Sequence, residues 1–407
     1  TERHRMGRTG DWMTLTENVY DAVGRLRAES FGTAITREYA YDVRSRITKI
    51  TSGYYRQTLG YTPGGNVAAM SWWAFGPYET ERKYVYTYDA LSRLTSARYS
   101  DGDGIAGLFD TEYAYDLNGN ITRLWRNGVY DRTPRGIQYG PIDDLTLEYD
   151  GNRLVRVADA CAGPFYQGAY HFADGADEAV EYTYDAAGNT VSDLNRGITA
   201  MVYDDNSRPW RVEFADGSQT LYLYDASGLK RRTVHRVASL PVTQPGAEDA
   251  SAPTEFVESV TDYCGDIIYE DSVLTRINLD GGYLRLADNS GNTLAKPEYH
   301  FYHRDHLGNN RMDLNVNGGV CQITHYYPYG MPMDCGYIPA YQRWLFGDKE
   351  LDRTSGLDLY DFEARAYDPA LGRFRQPDPH SRRSLSTGRS EENGRCTSYW
   401  NFSAAIL

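Results

Sequence analysis

The stretch 299–312, YHFYHRDHLGNNRM, puts His300, His303 and His306 close together, with Asp305 beside the last of them. Imidazoles and a carboxylate at such spacing are the raw material of a zinc centre or of an acid–base pair. A zinc site needs three or four ligands converging on one point. In an extended strand His300 and Tyr302 share a face and His303 points the other way, while the Leu-Gly-Asn-Asn run after His306 turns the chain. Convergence of all three imidazoles is awkward, and neither a full ligand set nor an acid–base set is visible. The expectation is a polar network locking a turn, in which His306 donates to a carboxylate, with no metal and no cofactor.

A second source of chemistry is the tyrosine–aspartate pair, which occurs as Tyr20-Asp21, Tyr41-Asp42, Tyr88-Asp89, Tyr115-Asp116, Tyr184-Asp185, Tyr203-Asp204 and Tyr224-Asp225. Aromatic rings stack on sugars and paired carboxylates cleave glycosides. An aspartate that recurs at every turn is explained by its backbone role: the carboxylate accepts N–H groups two or more residues on. Asp101, Asp103, Asp110 and Glu112 resemble a calcium loop but lack its third acidic ligand and its glycine, so 99–113 reads as a long acidic hairpin loop. The cysteines (Cys161, Cys264, Cys321, Cys335 and Cys396) are scattered, without a Cys-x-x-Cys pair, and read as incidental thiols.

The elements that hold these residues form a repeat. With the weaker copies at Tyr61 and Tyr149, the repeated tyrosines advance by 21, 20, 27, 27, 34, 35, 19 and 21 residues, a period near 20 with insertions. Before each turn the chain alternates, as in KYVYTYDA, where Tyr84, Tyr86 and Tyr88 share one face; after it a second strand resumes. One such hairpin cannot bury its apolar face alone, so neighbours must stack into a continuous curved sheet. The expected class is all-β: a spiral of antiparallel hairpins over 1–237, a Pro-rich linker or loop at 238–255, a second region of short strands at 256–379, and a disordered tail at 380–407.

Composition agrees. Of 407 residues 36 are Tyr, against 12 Phe, and 39 are Gly, a balance of strand and turn formers. Lys and Arg total 42 against 56 Asp and Glu, a formal charge of -14 with no basic patch, which argues against a nucleic-acid partner. Mean hydropathy is -0.61 and no apolar run is long enough for a membrane span. The opening TERHRMGRTGDW carries no initiator Met and no signal-peptide core, which reads as a fragment.

The repeat YDAxGRL, followed in order by YHRDHLGNNR (302–311), HYYPYG (325–330) and GLDLYDFEARAYDPALGRFRQPDP (356–379), resembles the Rhs/YD-repeat family and its Rhs-repeat-associated core region, in the form met in Bacteroides-type bacteria. The resemblance implies a spiral of hairpins forming a hollow or partial shell, with the core region at one end. It implies a secreted or cell-surface protein whose C-terminal effector polypeptide, often a toxin against competing cells, is enclosed or displayed. The core-region turn is then His303, Asp305, His306, Gly308 and Arg311, with His300 incidental. The core-region end is Arg365, Tyr367, Asp368, Pro369, Gly372, Arg373, Phe374, Asp378 and Pro379. Asp378 matches a position implicated as a protease aspartate in relatives, many of which cut themselves just after the core. An aspartyl mechanism needs a second carboxylate, and the family's downstream text is replaced by HSRRSLSTGRSEENGRCTSYWNFSAAIL, so the chain is expected not to cleave itself. A non-catalytic shell fragment is the leading expectation; a surface adhesin that binds glycans is the alternative, and an autoprotease or glycosidase the third.

Overall fold

The computed structural model describes residues 1–5, 12–32, 35–76, 79–134, 136–161, 163, 165–166, 168–239, 255–288, 290–337 and 342–378. The chain is all-β, in open antiparallel sheets of 13, 14 and 4 strands. Each sheet follows chain order without a crossover, as expected when every strand pairs with the next through a short turn. The first sheet runs from Glu2–Arg5 to Arg153–Asp159, the second from Tyr182–Tyr184 to Pro332–Tyr337, and the third from Glu350–Asp352 to Arg373–Phe374.

Alternation decides which side is buried. In Arg82–Tyr88 the odd residues Lys83, Val85 and Thr87 are exposed while Tyr84 and Tyr86 turn inward. The main core lies between the two large sheets, where Phe31, Tyr55 and Trp72 of the first meet Phe301, Met312 and Ile323 of the second. Smaller cores join the third sheet to the second: Tyr326 packs with Phe346, Tyr360, Tyr367 and Phe374, and Ile198 and Val212 with Leu357 and Leu359.

The expected linker or loop at 238–255 is bordered by two strands that pair with each other. Residues 240–254 lie outside the described residues, but the strands on either side, Lys230–Ala238 and Phe256–Cys264, pair from Ala238↔Phe256 through Arg232↔Asp262. The proline-rich stretch joins two neighbours inside one sheet. The first sheet gives way to the second between Asp159 and Tyr182, within the repeat region. The expected tail, 380–407, lies outside the described residues, as does Pro379.

Candidate functional site

The repeat turn has one geometry. Asp21 N–H donates to Arg25 O at 2.8 Å and Gly24 N–H to Asp21 O at 3.1 Å. Asp21 Oδ1 accepts the N–H groups of Val23 (3.0 Å) and Arg25 (2.9 Å), and Oδ2 accepts Arg25 Nε at 2.7 Å. The carboxylate thus satisfies turn donors and neutralises the arginine that closes the turn. The same set recurs at Asp42, Asp89 and Asp204. At Asp116 and Asp185 an asparagine takes the place of the arginine, and at Asp225 the partner is Arg231. The acidic 99–113 segment begins with this turn too: Asp101 Oδ1 accepts from Asp103 and Ile105, while Asp110 pairs with Arg98 at 3.0 Å.

The tyrosine before each aspartate sits at a one-residue slip in the ladder, between Ala40 and Tyr41, Thr87 and Tyr88, or Ala114 and Tyr115. Its hydroxyl reaches back to a backbone carbonyl of the preceding hairpin: Tyr41 to Leu26 (2.7 Å), Tyr61 to Ile47 (2.6 Å), Tyr88 to Val67 (2.8 Å), Tyr115 to Leu94 (2.6 Å), Tyr149 to Ile121 (2.9 Å) and Tyr184 to Leu154 (2.8 Å). The turn arginine of one hairpin then lies over the tyrosine ring of the next, as in Arg25 on Tyr41 (4.8 Å), Arg46 on Tyr61 (4.2 Å) and Arg208 on Tyr224 (5.0 Å). Tyr20, in the first hairpin, is exposed.

The histidine stretch is built the same way. Asp305 Oδ1 accepts the N–H groups of Leu307 and Asn309, both at 3.0 Å, and Oδ2 accepts Asn309 Nδ2 at 3.0 Å and Arg311 Nε at 2.8 Å. Gly308, at φ +85°, donates its N–H to Asp305 O, and the ladder slips between His303 and Arg304. HRDHLGN is therefore a repeat turn with Arg304 in place of the tyrosine, and it is buried: the Arg311 and Asp305 side chains are 4% and 0% exposed. Burial opposes the Asp305 charge, yet Arg311, His306 and Asn309 hold its carboxyl below the usual range.

The imidazoles do not converge. His303 faces the first sheet beside Ser52 (3.5 Å) and over Tyr55, and burial with nearby Arg37 pushes its pKa well down. His306 meets Gln57, which accepts its backbone N–H at 3.0 Å and lies 3.2 Å from Nδ1. His306 does not donate to a carboxylate here: its Nδ1 accepts from the Gln57 amide Nε2, while Asp305 is bonded by Asn309 and Arg311. His300, read as incidental, lies on the opposite face with Nδ1 3.0 Å from Asp313 Oδ1 and its ring stacked on Tyr283 at 4.6 Å. Burial works against its proton, but Asp313 and the adjacent Cys321 thiol lift its pKa to about 9. His325, from the neighbouring HYYPYG text, accepts Trp72 Nε1 at 3.1 Å across the sheet interface.

The core-region end forms a clamp. Residues 367–376 are all buried. Asp368 meets Arg196 at 2.8 Å and accepts the N–H groups of Ala370 and Leu371, at 3.1 and 3.3 Å; Arg196 also reaches Asp193 at 3.0 Å, and Arg375 pairs with Asp193. All four side chains are at most 3% exposed. Arg375 O accepts both N–H (3.2 Å) and Oγ1 (2.8 Å) of Thr190. On the other side Arg126, 1% exposed, donates Nε to Asp143 at 2.7 Å and Nη2 to Ala370 O at 2.6 Å. Arg373 lies over Tyr149 at 5.4 Å, Gly372 turns at φ +66° against Tyr329, and Phe374 packs on Tyr367 at 5.2 Å. The segment from Asp368, with buried Pro369, thus ties the first sheet to the second.

Asp378 lies 3.3 Å from Arg365, whose guanidinium covers Phe374 at 3.6 Å. Asp368 is held by Arg196 at 2.8 Å and lies 3.7 Å from Arg375. Sequence reasoning missed Arg126, Asp143, Asp193 and Arg196; a buried arginine carries no local signal until its partner strand is known.

No protein-family model matches the chain. It is 29% identical over 287 residues to salivary gland surface protein 1 of Aedes aegypti, covering 64% of this chain and 8% of that protein. Among solved structures it is similar to the Photorhabdus luminescens Tc holotoxin pore carrying the TccC3 D651A mutation (TM-score 0.69), to TcdB2–TccC3 without its hypervariable C-terminal region (0.67) and to TcdB2–TccC3–TEV (0.66). Each is 16% identical and covers 98% of this chain and 19% of the solved chain. The chain thus spans about a fifth of the structures it resembles, and at this identity what it shares with them is the fold: open antiparallel sheets of the TcdB2–TccC3 kind.

Proposed function

We propose that this chain is a non-catalytic wall segment of an Rhs/YD-repeat shell of the Bacteroides type, with 256–379 as its repeat-associated core region. The protein to which it belongs encloses or displays a C-terminal effector, a toxin in competition between bacteria, from a secreted or cell-surface position. The observation that carries this reading is the burial of the signature residues in locks between sheets: Asp305–Arg311 under the first sheet and Asp368–Arg196–Asp193–Arg375 at the clamp. Residues spent on joining large open sheets serve a container. The fold shared with TcdB2–TccC3 supports it, as does the hypervariable C-terminal region named for one of those structures. The name of the mosquito relative, a surface protein, supports the location.

Limited proteolysis of the full-length parent tests it. The polypeptide beyond residue 379 is expected to resist protease while the wall is intact and to be digested once denaturant opens the wall; digestion at equal rates before and after overturns the reading. Intact mass spectrometry at neutral and mildly acidic pH is expected to show no cleavage between Pro379 and Leu407, as befits an Asp378 facing Arg365. The glycan-binding alternative rested on tyrosine-rich faces, and repeat tyrosine hydroxyls are occupied by backbone carbonyls. Saturable binding on a glycan array would restore it.

A further inference from the structure

The face of the second sheet that turns away from the first holds an arginine without a counter-ion. Arg276, 8% exposed, stands on the strand Val273–Leu279. Its guanidinium is packed between the rings of Tyr283 (3.8 Å), on the next strand, and Trp344 (3.9 Å), in the segment leading to the third sheet. Nε donates to Asn278 Oδ1 at 2.6 Å and Nη2 to the Tyr302 hydroxyl, both neutral acceptors. The buried Arg37, Arg126, Arg196, Arg311 and Arg375 each face a carboxylate. Arg276 has no ion pair among the described residues, and its Nη1 has no hydrogen-bond partner there. A cation taken out of water without an opposite charge is costly, and aromatic faces recover only part of that cost.

A like charge stands directly across from it. In the pairing of Val273–Leu279 with Gly282–Ala287, Arg276 is opposite Arg285, an arrangement that repels. Arg285 Nη1 lies 3.8 Å from Glu298, whose carboxylate is half exposed. Both arginines line an open cavity of about 300 Å³, and Arg276 also lines a second of about 490 Å³, with Trp344 common to the two. The carboxylates of the first cavity are already bonded: Glu270 to Arg343, and Asp288 to the N–H groups of Ser290 and Asn292 in its own turn. The cavity therefore presents a positive wall with donors left over.

We propose that this cavity is a binding site for a small organic carboxylate, with Arg276 as its anchor. The two rings against the guanidinium leave its edge as the open approach, and a carboxylate, planar with two acceptor oxygens, matches the Nη1 edge. Ile268 and Ala287 supply apolar lining for the ligand's carbon skeleton, and about 300 Å³ is room for a small molecule. Glu270 and Asp288 stand in the same cavity and oppose a dianion such as phosphate, whereas one negative charge balances Arg276. The bound carboxylate supplies the counter-ion that Arg126, Arg196 and Arg311 receive from the chain itself.

The probe is 4-fluorobenzoate, its neutral control is 4-fluorobenzamide, and the readout is the fluorine NMR line width in titrations of the full chain at pH 7. The expected result is saturable binding of the carboxylate, at least ~10-fold tighter than the amide, as a hydrogen bond to a charged group provides. Acetate should displace the probe at a lower concentration than inorganic phosphate does. Arg276→Gln should reduce the carboxylate to the affinity of the amide, and Arg285→Gln, which removes a partly exposed charge, should weaken its binding roughly 2–5-fold. No saturable binding, equal affinity for the two probes, displacement by phosphate ahead of acetate, or undiminished binding to a folded Arg276→Gln chain overturns the proposal. If Arg276→Gln fails to fold, Arg285→Gln decides: an affinity it leaves unchanged overturns the site.

Discussion

Asp368→Asn removes one charge from a buried quartet whose two arginines and two aspartates cancel. The asparagine is isosteric and its Oδ1 still accepts the Ala370 and Leu371 N–H groups, so packing is preserved and charge is the change. Arg196 and Arg375 are then left with the single carboxylate of Asp193. Breaking one side of a buried pair leaves an uncompensated charge and costs roughly 3–5 kcal/mol. With an unfolding entropy of about 2.1 cal/mol/K per residue, 407 residues give about 0.85 kcal/mol/K, so the cost is a fall in Tm of about 4–6 °C. The assay is scanning calorimetry of wild type, Asp368→Asn, Arg196→Gln and the double variant at pH 7. Because both single changes break the same pair, the double variant should lose less than their sum by roughly 1–3 kcal/mol. A Tm change under about 1 °C, or strict additivity, would refute the assignment of 367–376 as an electrostatic clamp.

Other expectations follow from the same contacts. His303 and His325 are neutral in the fold with pKa values well below the ordinary one, so the unfolded chain binds more protons and stability drops as pH falls below about 6.5, by up to ~1.4 kcal/mol per unit for each. A pH series of denaturant melts should show this acid limb, and His325→Gln should flatten it. His300, raised to about 9, acts in the opposite sense: its contribution is complete below about pH 6.5 and disappears as pH rises through 9. Tyr115→Phe removes a hydroxyl that bonds Leu94 O and Tyr329, and should cost roughly 1–2 kcal/mol in chemical denaturation. At Ser45, Ser92 and Ser207 the turn requires φ near +61°, where other copies carry glycine; Ser92→Gly should therefore stabilise by about 0.5–1 kcal/mol, and destabilisation would count against the turn geometry.

The repeat was legible because an aspartate turn is local: carboxylate, acceptor and donors lie within a few residues, so YDAxGRL carries its own explanation. The same turn at Asp101, Asp288, Asp305 and Asn315 lacks the tyrosine, and a search for Tyr-Asp passes over it; a search for Asp or Asn followed three residues later by glycine finds all of these. What each tyrosine does was not legible, since its carbonyl acceptor lies 13 to 30 residues upstream and is set by the register between hairpins. The face assignment of His300, Tyr302 and His303 followed from the strand period, but the weight given to His300 did not, because Asp313 arrives from the next strand. The proline-rich stretch at 238–255 changes the texture between two strands that pair in one sheet, whereas the change of sheet after Asp159 falls inside the repeat and leaves no mark in composition.

The central claim is that this chain walls a container whose signature residues are locks. Electron cryomicroscopy of the full-length parent tests it most directly. The account predicts a lumen bounded by the continuous 13- and 14-strand sheets, with 367–376 bridging them and density for the polypeptide beyond residue 379 inside. Sheets packed without a lumen, or that polypeptide lying wholly outside, would contradict it.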